Sequence, residues 1–211
     1  MLPDRYLRFL ADIRGQVPAG RTFTDPLRTL AYGTDASFYR LVPKIVVRAD
    51  TEAEVAAVLP AADRRDIAVT FRAAGTSLSG QAVSDSVLLV AGAGWNRYEV
   101  LDGGGRIRLQ PGVIGGHANR YLAPYGRKIG PDPASINAAM IGGIAANNAS
   151  GMCCGTAQNS YRTVAGMRIL LQDGSRLDTA DPASREHFRR TRRDLLDALD
   201  RLGREVRADA A

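Results

Sequence analysis

Lysine is nearly missing from this chain of 211 residues. Of 28 basic side chains only Lys44 and Lys128 are lysine, and the rest are arginine. Arginine used this way, beside abundant alanine, fits coding bias, so the net charge of +6 does not by itself mark a nucleic-acid binder. The one basic cluster, HFRRTRR at 187–193, reads as a solvated helix face, and no specific nucleic-acid partner is expected. Histidine and cysteine are as scarce. His117 and His187 stand alone without ligand-like spacing, which excludes an ordinary metal site. Cys153 and Cys154 are adjacent, a placement that does not easily reach disulfide geometry, and this fits a reducing compartment. With no basic neighbour to activate either thiol, both read as packing residues, and neither histidine is given a catalytic role. No apolar run approaches membrane-spanning length, and the N-terminal MLPDRYLRFL carries charges where a signal peptide is apolar. The expectation is a soluble, cytoplasmic chain.

What is present is an α/β pattern followed by a more antiparallel one. Residues 4–14 form an amphipathic helix, and 22–40 is irregular and rich in turn formers. PKIVVRAD (43–50) is a strand. TEAEVAAVLPAADRRD (51–66) is a helix that opens with Thr51 and Glu54 at capping-box spacing. IAVTFRA (67–73) is a second strand, so the three read as a parallel βαβ unit. SVLLVAG (86–92) is another buried strand. Two hairpins are expected, one around GGG at 103–105 and one turning on Asp173-Gly174, with a helix over 113–126 closed by Gly126. The tail begins with Asp181 as N-cap and Pro182 at the first helical position, then carries a stripe of Leu195, Leu196, Leu199 and Leu202. The segments divide as 1–40 (helix and extended segment), 41–91 (first subdomain), 92–180 (second subdomain) and 181–211 (C-terminal helix).

Two loops carry the chemistry. FRAAGTSLSGQAV (71–83) leaves the carboxyl end of a parallel strand, where open α/β sheets bind ligands. Gly75 and Gly80 stand as in a P-loop, but Gln81 and Ala82 replace the lysine and hydroxyl that meet terminal phosphates and magnesium. ATP or GTP hydrolysis is excluded, and GAGWNR (92–97) lacks the third glycine of a Rossmann fingerprint. Backbone N–H groups around Gly75, Thr76 and Ser77 suit an anion nest. The pattern alone leaves that reading and an ordinary polar turn both open. The second loop, GPDPASINAAMIGGIAANNASG (130–151), offers Ser135, the Gly142-Gly143 pair and Asn147-Asn148. Together the loops suit an extended ligand. No acid, base or nucleophile is poised with a partner, which fits a cofactor that carries its own chemistry.

In order along the chain, PKIVVRADTEAEVAAVL, FRAAGTSLSGQAV, LQPGV, GPDPAS…IGGIAANNASG and ILLQDGSRLDT resemble the PCMH-type FAD-binding domain of the vanillyl-alcohol oxidase type. Within it the chain is similar to D-lactate, D-2-hydroxyglutarate and glycolate dehydrogenases. LAYGTDASFYR and GMCCGTAQNSYRTV resemble the branch with a fused iron–sulfur region. The resemblance covers about residues 22–180. It implies an α+β fold of two subdomains, a small parallel βαβ one and a larger, mainly antiparallel one. It further implies non-covalent FAD, held by Arg72, Ala73, Ala74, Gly75, Thr76, Ser77, Gly80 and Gln81. From the second subdomain it adds Pro131, Asp132, Ser135, Gly142, Gly143, Asn147, Ser150 and Gly151, and Val164 at the adenine through its backbone. The implied reaction oxidises a D-2-hydroxy acid to the 2-oxo acid. The alternative is a non-catalytic FAD-binding or assembly module.

Three departures accompany the resemblance. Ala73 and Ala74 replace family glycines, and alanine is strained wherever a positive φ is needed. No histidine lies at the first loop for a covalent flavin bond. The substrate-binding cap and the iron–sulfur cysteines of such proteins would follow residue 211, so an iron–sulfur cluster belongs to that region or to another chain. No turnover is expected from these residues alone.

Overall fold

The computed structural model describes residues 2–209. It divides into two compact units, one ending at Val164 and one beginning at Ala165. The first opens with helix α1 (Asp4–Ile13), which buries Tyr6, Phe9 and Ile13. The segment expected to be irregular contains strand β1 (Thr22–Phe23) and helix α2 (Pro26–Ala31). Asp25 caps α2 by accepting the Arg28 N–H, and Pro26 supplies the preset φ of its first turn. The strand is only two residues long, too short to leave a periodic signal.

Strand β2 (Ile45–Ala49), helix α3 (Glu52–Asp63), strand β3 (Val69–Arg72) and strand β4 (Val87–Ala91) follow. The sheet order is β1-β2-β4-β3. Strands β2, β4 and β3 run parallel, with Ile45 opposite Val87 and Val69 also opposite Val87; β1 is antiparallel to β2. The expected βαβ unit is therefore split: β2 and β3 are parallel, but β4 lies between them. Its run of Val87, Leu88, Leu89 and Val90 is buried throughout, as a central strand covered on both faces requires. Both β3 and β4 thus deliver their carboxyl ends to the same sheet edge.

The cap of α3 also differs in detail. Thr51 accepts the Glu54 N–H at 3.2 Å, but the Glu54 carboxylate turns back one residue further, taking the Asp50 N–H at 2.6 Å. Arg21 ion-pairs with both Asp50 and Glu54, which supports this largely buried carboxylate. The Trp95 indole donates to the Ala49 carbonyl at 2.7 Å, fixing the turn after β4 to the end of β2.

The rest of the first unit is built from strand β5 (Tyr98–Leu101), strand β6 (Arg106–Leu109), helix α4 (Gly115–Leu122), helix α5 (Ile141–Ala146) and helix α6 (Ser160–Thr163). β5 and β6 pair antiparallel as the GGG signal implied, and Gly126 ends the helical stretch after α4 at φ 65°. The second unit holds the hairpin of β7 (Arg168–Leu170) and β8 (Arg176–Asp178), then α7 (Pro182–Thr191) and α8 (Arg193–Asp209). Asp181 caps α7 by accepting from Ala183 and Ser184. The hairpin groups with these helices rather than with residues 92–164. No side chain of α8 is buried, and Leu199 and Leu202 are exposed.

Candidate functional site

The first loop leaves β3 at Arg72 and returns to the core at Ala82. Arg72 is buried, and its guanidinium donates to the Ala82 carbonyl, at 2.8 Å from Nε, so it ties the two ends of the loop together. Burial pushes the Arg72 guanidinium below its ordinary value, opposed by the Asp35 carboxylate and Tyr32, yet an arginine stays charged. This residue is thus a brace at the loop base. Gly75 and Gly80 each take φ 69°, where only glycine rests without strain. Neither Ala73 nor Ala74 has a positive φ, so both alanines fit the loop as it stands.

The polar groups of the loop divide into spent and unspent. Ser77 Oγ accepts the Ser79 and Gln81 N–H groups at 3.2 and 3.4 Å and donates to Gln81 Oε1 at 3.1 Å. The N–H groups of residues 73–78 meet no protein acceptor among the described residues. A run of unspent amides with one left-handed glycine inside it is the backbone pattern of an anion nest. The Thr76 hydroxyl likewise has no partner among the described residues.

The second loop meets the first at two points. Gln81 Nε2 donates to Asn147 Oδ1 at 3.4 Å, and a Cβ placed on Gly143 would lie 3.7 Å from that of Ala73. Asn147 sits at the C-terminal end of α5, with Gly142 and Gly143 in its first turn. The glycines of this region have different causes. A Cβ on Gly151 would come within 1.8 Å of the Asp132 carbonyl, and one on Gly142 within 2.8 Å of Pro111, so both are required by close packing. Gly143 touches nothing closely, and its smallness answers no protein contact.

The remaining sequence candidates occupy the same stretch. Pro131 is buried, and Asp132 ion-pairs with Lys128 at 3.4 Å. The Ser135 and Ser150 hydroxyls have no partner among the described residues, and the Ser135 carbonyl accepts from Ala138 and Ala139. Val164 is exposed, and its N–H is spent on the Ser160 carbonyl at 2.9 Å, which leaves its carbonyl for a ligand. Every candidate residue, from Arg72 to Val164, lies in the first unit. Cys154 is buried and Cys153 exposed. Among the described residues no group of three or more His, Cys, Asp or Glu could hold a metal ion, and no helix is long and apolar enough to cross a membrane.

Residues 34–40, noted in the sequence only for a resemblance, were given no part in the site. The Asp35 carboxylate accepts the Ala82 N–H at 3.3 Å and the Ser37 N–H at 2.8 Å; the Ala36 N–H donates to the Gly75 carbonyl at 3.0 Å. Tyr39 packs against Gly80 so closely that a Cβ there would fall 2.6 Å from its ring. The Asp-Ala-Ser spacing of an Asx turn was the available signal.

The arrangement can cradle a bound anionic ligand with neutral donors. Its amides and hydroxyls fit a pyrophosphate, and Gly143 keeps the backbone of α5 bare where it faces Ala73. Comparison with known proteins agrees. The FAD binding domain family matches residues 43–180. The chain is 33% identical over 177 residues to D-2-hydroxyglutarate dehydrogenase of Escherichia coli K12, covering 82% of this chain and 17% of that protein. It is 34% identical over 148 residues to glycolate oxidase subunit GlcD of the same strain, covering 69% of this chain and 30% of that protein. It thus spans less than a third of the length of these relatives. Among solved structures, alkyldihydroxyacetonephosphate synthase superposes with a TM-score of 0.71 at 16% identity, covering 89% of this chain and 41% of that one. Chitooligosaccharide oxidase does so at 0.68 and 19% identity, covering 85% and 38%. These last two likenesses concern the fold alone. The sheet, the two converging loops and the matched span agree: the chain belongs to the PCMH-type FAD-binding domain family.

Proposed function

We propose that this chain is the FAD-binding portion of a flavin-dependent dehydrogenase that oxidises a D-2-hydroxy acid to its 2-oxo acid. The observation that carries this reading is that the loop with the unspent amides of residues 73–78 meets the second loop, at Ala73 beside Gly143 and at Gln81 beside Asn147. The amides and the Thr76 hydroxyl receive the pyrophosphate of FAD. Gly143 lets the dinucleotide pass close to α5, and the Val164 carbonyl accepts from the adenine amine. With no histidine in residues 71–83, the flavin is held without a covalent bond at this loop. When bound, FAD supplies a ring that takes a hydride from the α-carbon of the hydroxy acid. The likeness to D-2-hydroxyglutarate dehydrogenase and to a glycolate oxidase subunit supports that substrate class. The groups that grip the substrate and take its hydroxyl proton come from a cap region in the same or another chain, which also carries any iron–sulfur cluster. The unpaired cysteines favour a cytoplasmic setting.

Titration of the purified chain with FAD, followed by flavin fluorescence, tests the binding. Saturable quenching is expected, and its absence would remove the reading. D-lactate, D-2-hydroxyglutarate and glycolate should bleach the flavin only when a cap-bearing region is present.

A further inference from the structure

We infer that residues 34–40 form a strap that holds the cofactor loop in its binding shape, with Asp35 as its positioning residue and Tyr39 as its wedge. Three contacts from the strap carry this, and they reach the loop at both ends. Ala36 donates to the Gly75 carbonyl at 3.0 Å, near the loop's start. Asp35 Oδ2 accepts from Ala82 at 3.3 Å, at its finish. The Tyr39 ring fills the space beside Gly80. Arg72 donates to the same Ala82 whose N–H the Asp35 carboxylate accepts, so one residue is held from both sides. The strap is itself closed. Thr34 and Arg40 form an isolated antiparallel bridge, and Ser37 donates to Asp35 through both N–H and hydroxyl.

The chemical consequence follows from which groups are used. The strap satisfies a carbonyl at Gly75 and an amide at Ala82, and takes none of the amides of residues 73–78. It fixes the loop while leaving its anion-binding face free. A loop carrying so many unspent donors gains little from its own hydrogen bonds, so its shape must be imposed from outside. Preorganisation of this kind raises affinity by removing the ordering cost at binding. The importance assigned here to the strap for cofactor affinity rests on the flavin reading; its hold on the loop does not.

Hydrogen exchange on the 211-residue chain, first without and then with FAD, separates the two. Asp35→Asn is expected to raise exchange at the Ala82 amide and its loop neighbours about tenfold, the scale of one charge-assisted hydrogen bond, with the β4 amides unchanged. FAD binding should weaken by about the same factor. Tyr39→Ala and Ser37→Ala, which leave the carboxylate in place, should loosen the loop in the same direction and carry the test if Asp35→Asn does not fold. Folded variants whose loop exchange equals that of the wild type would overturn the strap, as would an increase spread evenly into β4. A wild-type chain that shows no FAD-dependent protection at 73–82 would remove the flavin reading, while flavin-free exchange would still decide the strap.

Discussion

Gly80 is the residue at which backbone and packing requirements coincide. Its φ of 69° and the Tyr39 ring beside it both exclude a side chain. Gly80→Ala should therefore cost about 1–2 kcal/mol from the left-handed backbone alone, and more from the clash. In a double-mutant cycle, Tyr39→Ala should recover the steric part and leave the backbone part, a coupling that chemical denaturation will read. Asp35 has a different signature. Burial pushes its carboxyl up, but hydrogen bonds from the Ser37 hydroxyl and N–H and the Ala82 N–H, with the Arg72 charge, hold it below the ordinary value. The ionised form thus belongs to the folded loop. Its stabilisation is complete above the unfolded carboxyl value of about 3.9 and disappears as pH falls through the lower folded value. The stability gap between the wild type and Asp35→Asn should be constant near neutrality and close below about pH 4, as thermal unfolding across pH will show.

At the scale of elements, β4 bears most on the sheet. Leu88 is fully buried between β2 and β3, so Leu88→Ala should cost about 2–5 kcal/mol in urea unfolding. Leu199→Ala on α8, at a half-exposed position, should change stability by no more than about 0.5 kcal/mol. The same contrast explains what the sequence disclosed. Thr51 with Glu54, Asp181 with Pro182, and Asp173-Gly174 are local signals whose partners lie within a few residues, and the helices and hairpin they mark are where they were expected. The place of β4 between β2 and β3 is a pairing across some forty residues, and periodicity carries no trace of it. Residues 22–40 were misread because a two-residue strand and a six-residue helix are too short to show a period. At the site, the loops were legible through their glycines. The strap was not, because Asp35 and Tyr39 become meaningful only against Gly75, Gly80 and Ala82, far along the chain.

For the molecule as a whole, the division at Val164 places every proposed FAD contact in the first unit, although the family match continues to residue 180. A chain ending at Val164 should therefore bind FAD within about threefold of the 211-residue chain, a difference under about 1 kcal/mol. A larger loss in a fluorescence titration would assign part of the cofactor's grip to the hairpin and helices beyond. The chain covers 17% of one relative and 30% of another. Under the proposed function, cofactor affinity belongs to this portion while turnover needs a cap region, so the two properties should be separable by measurement.

Gly143 shows the cost of that affinity. It lies inside α5, has room for a methyl group, and would gain about 0.5–1 kcal/mol of helix stability as alanine. The chain forgoes this gain at a position where folding alone would welcome it. Gly143→Ala should melt at a higher temperature than the wild type and bind FAD more weakly, a trade of robustness for ligand that isolates the cofactor's demand from the fold's.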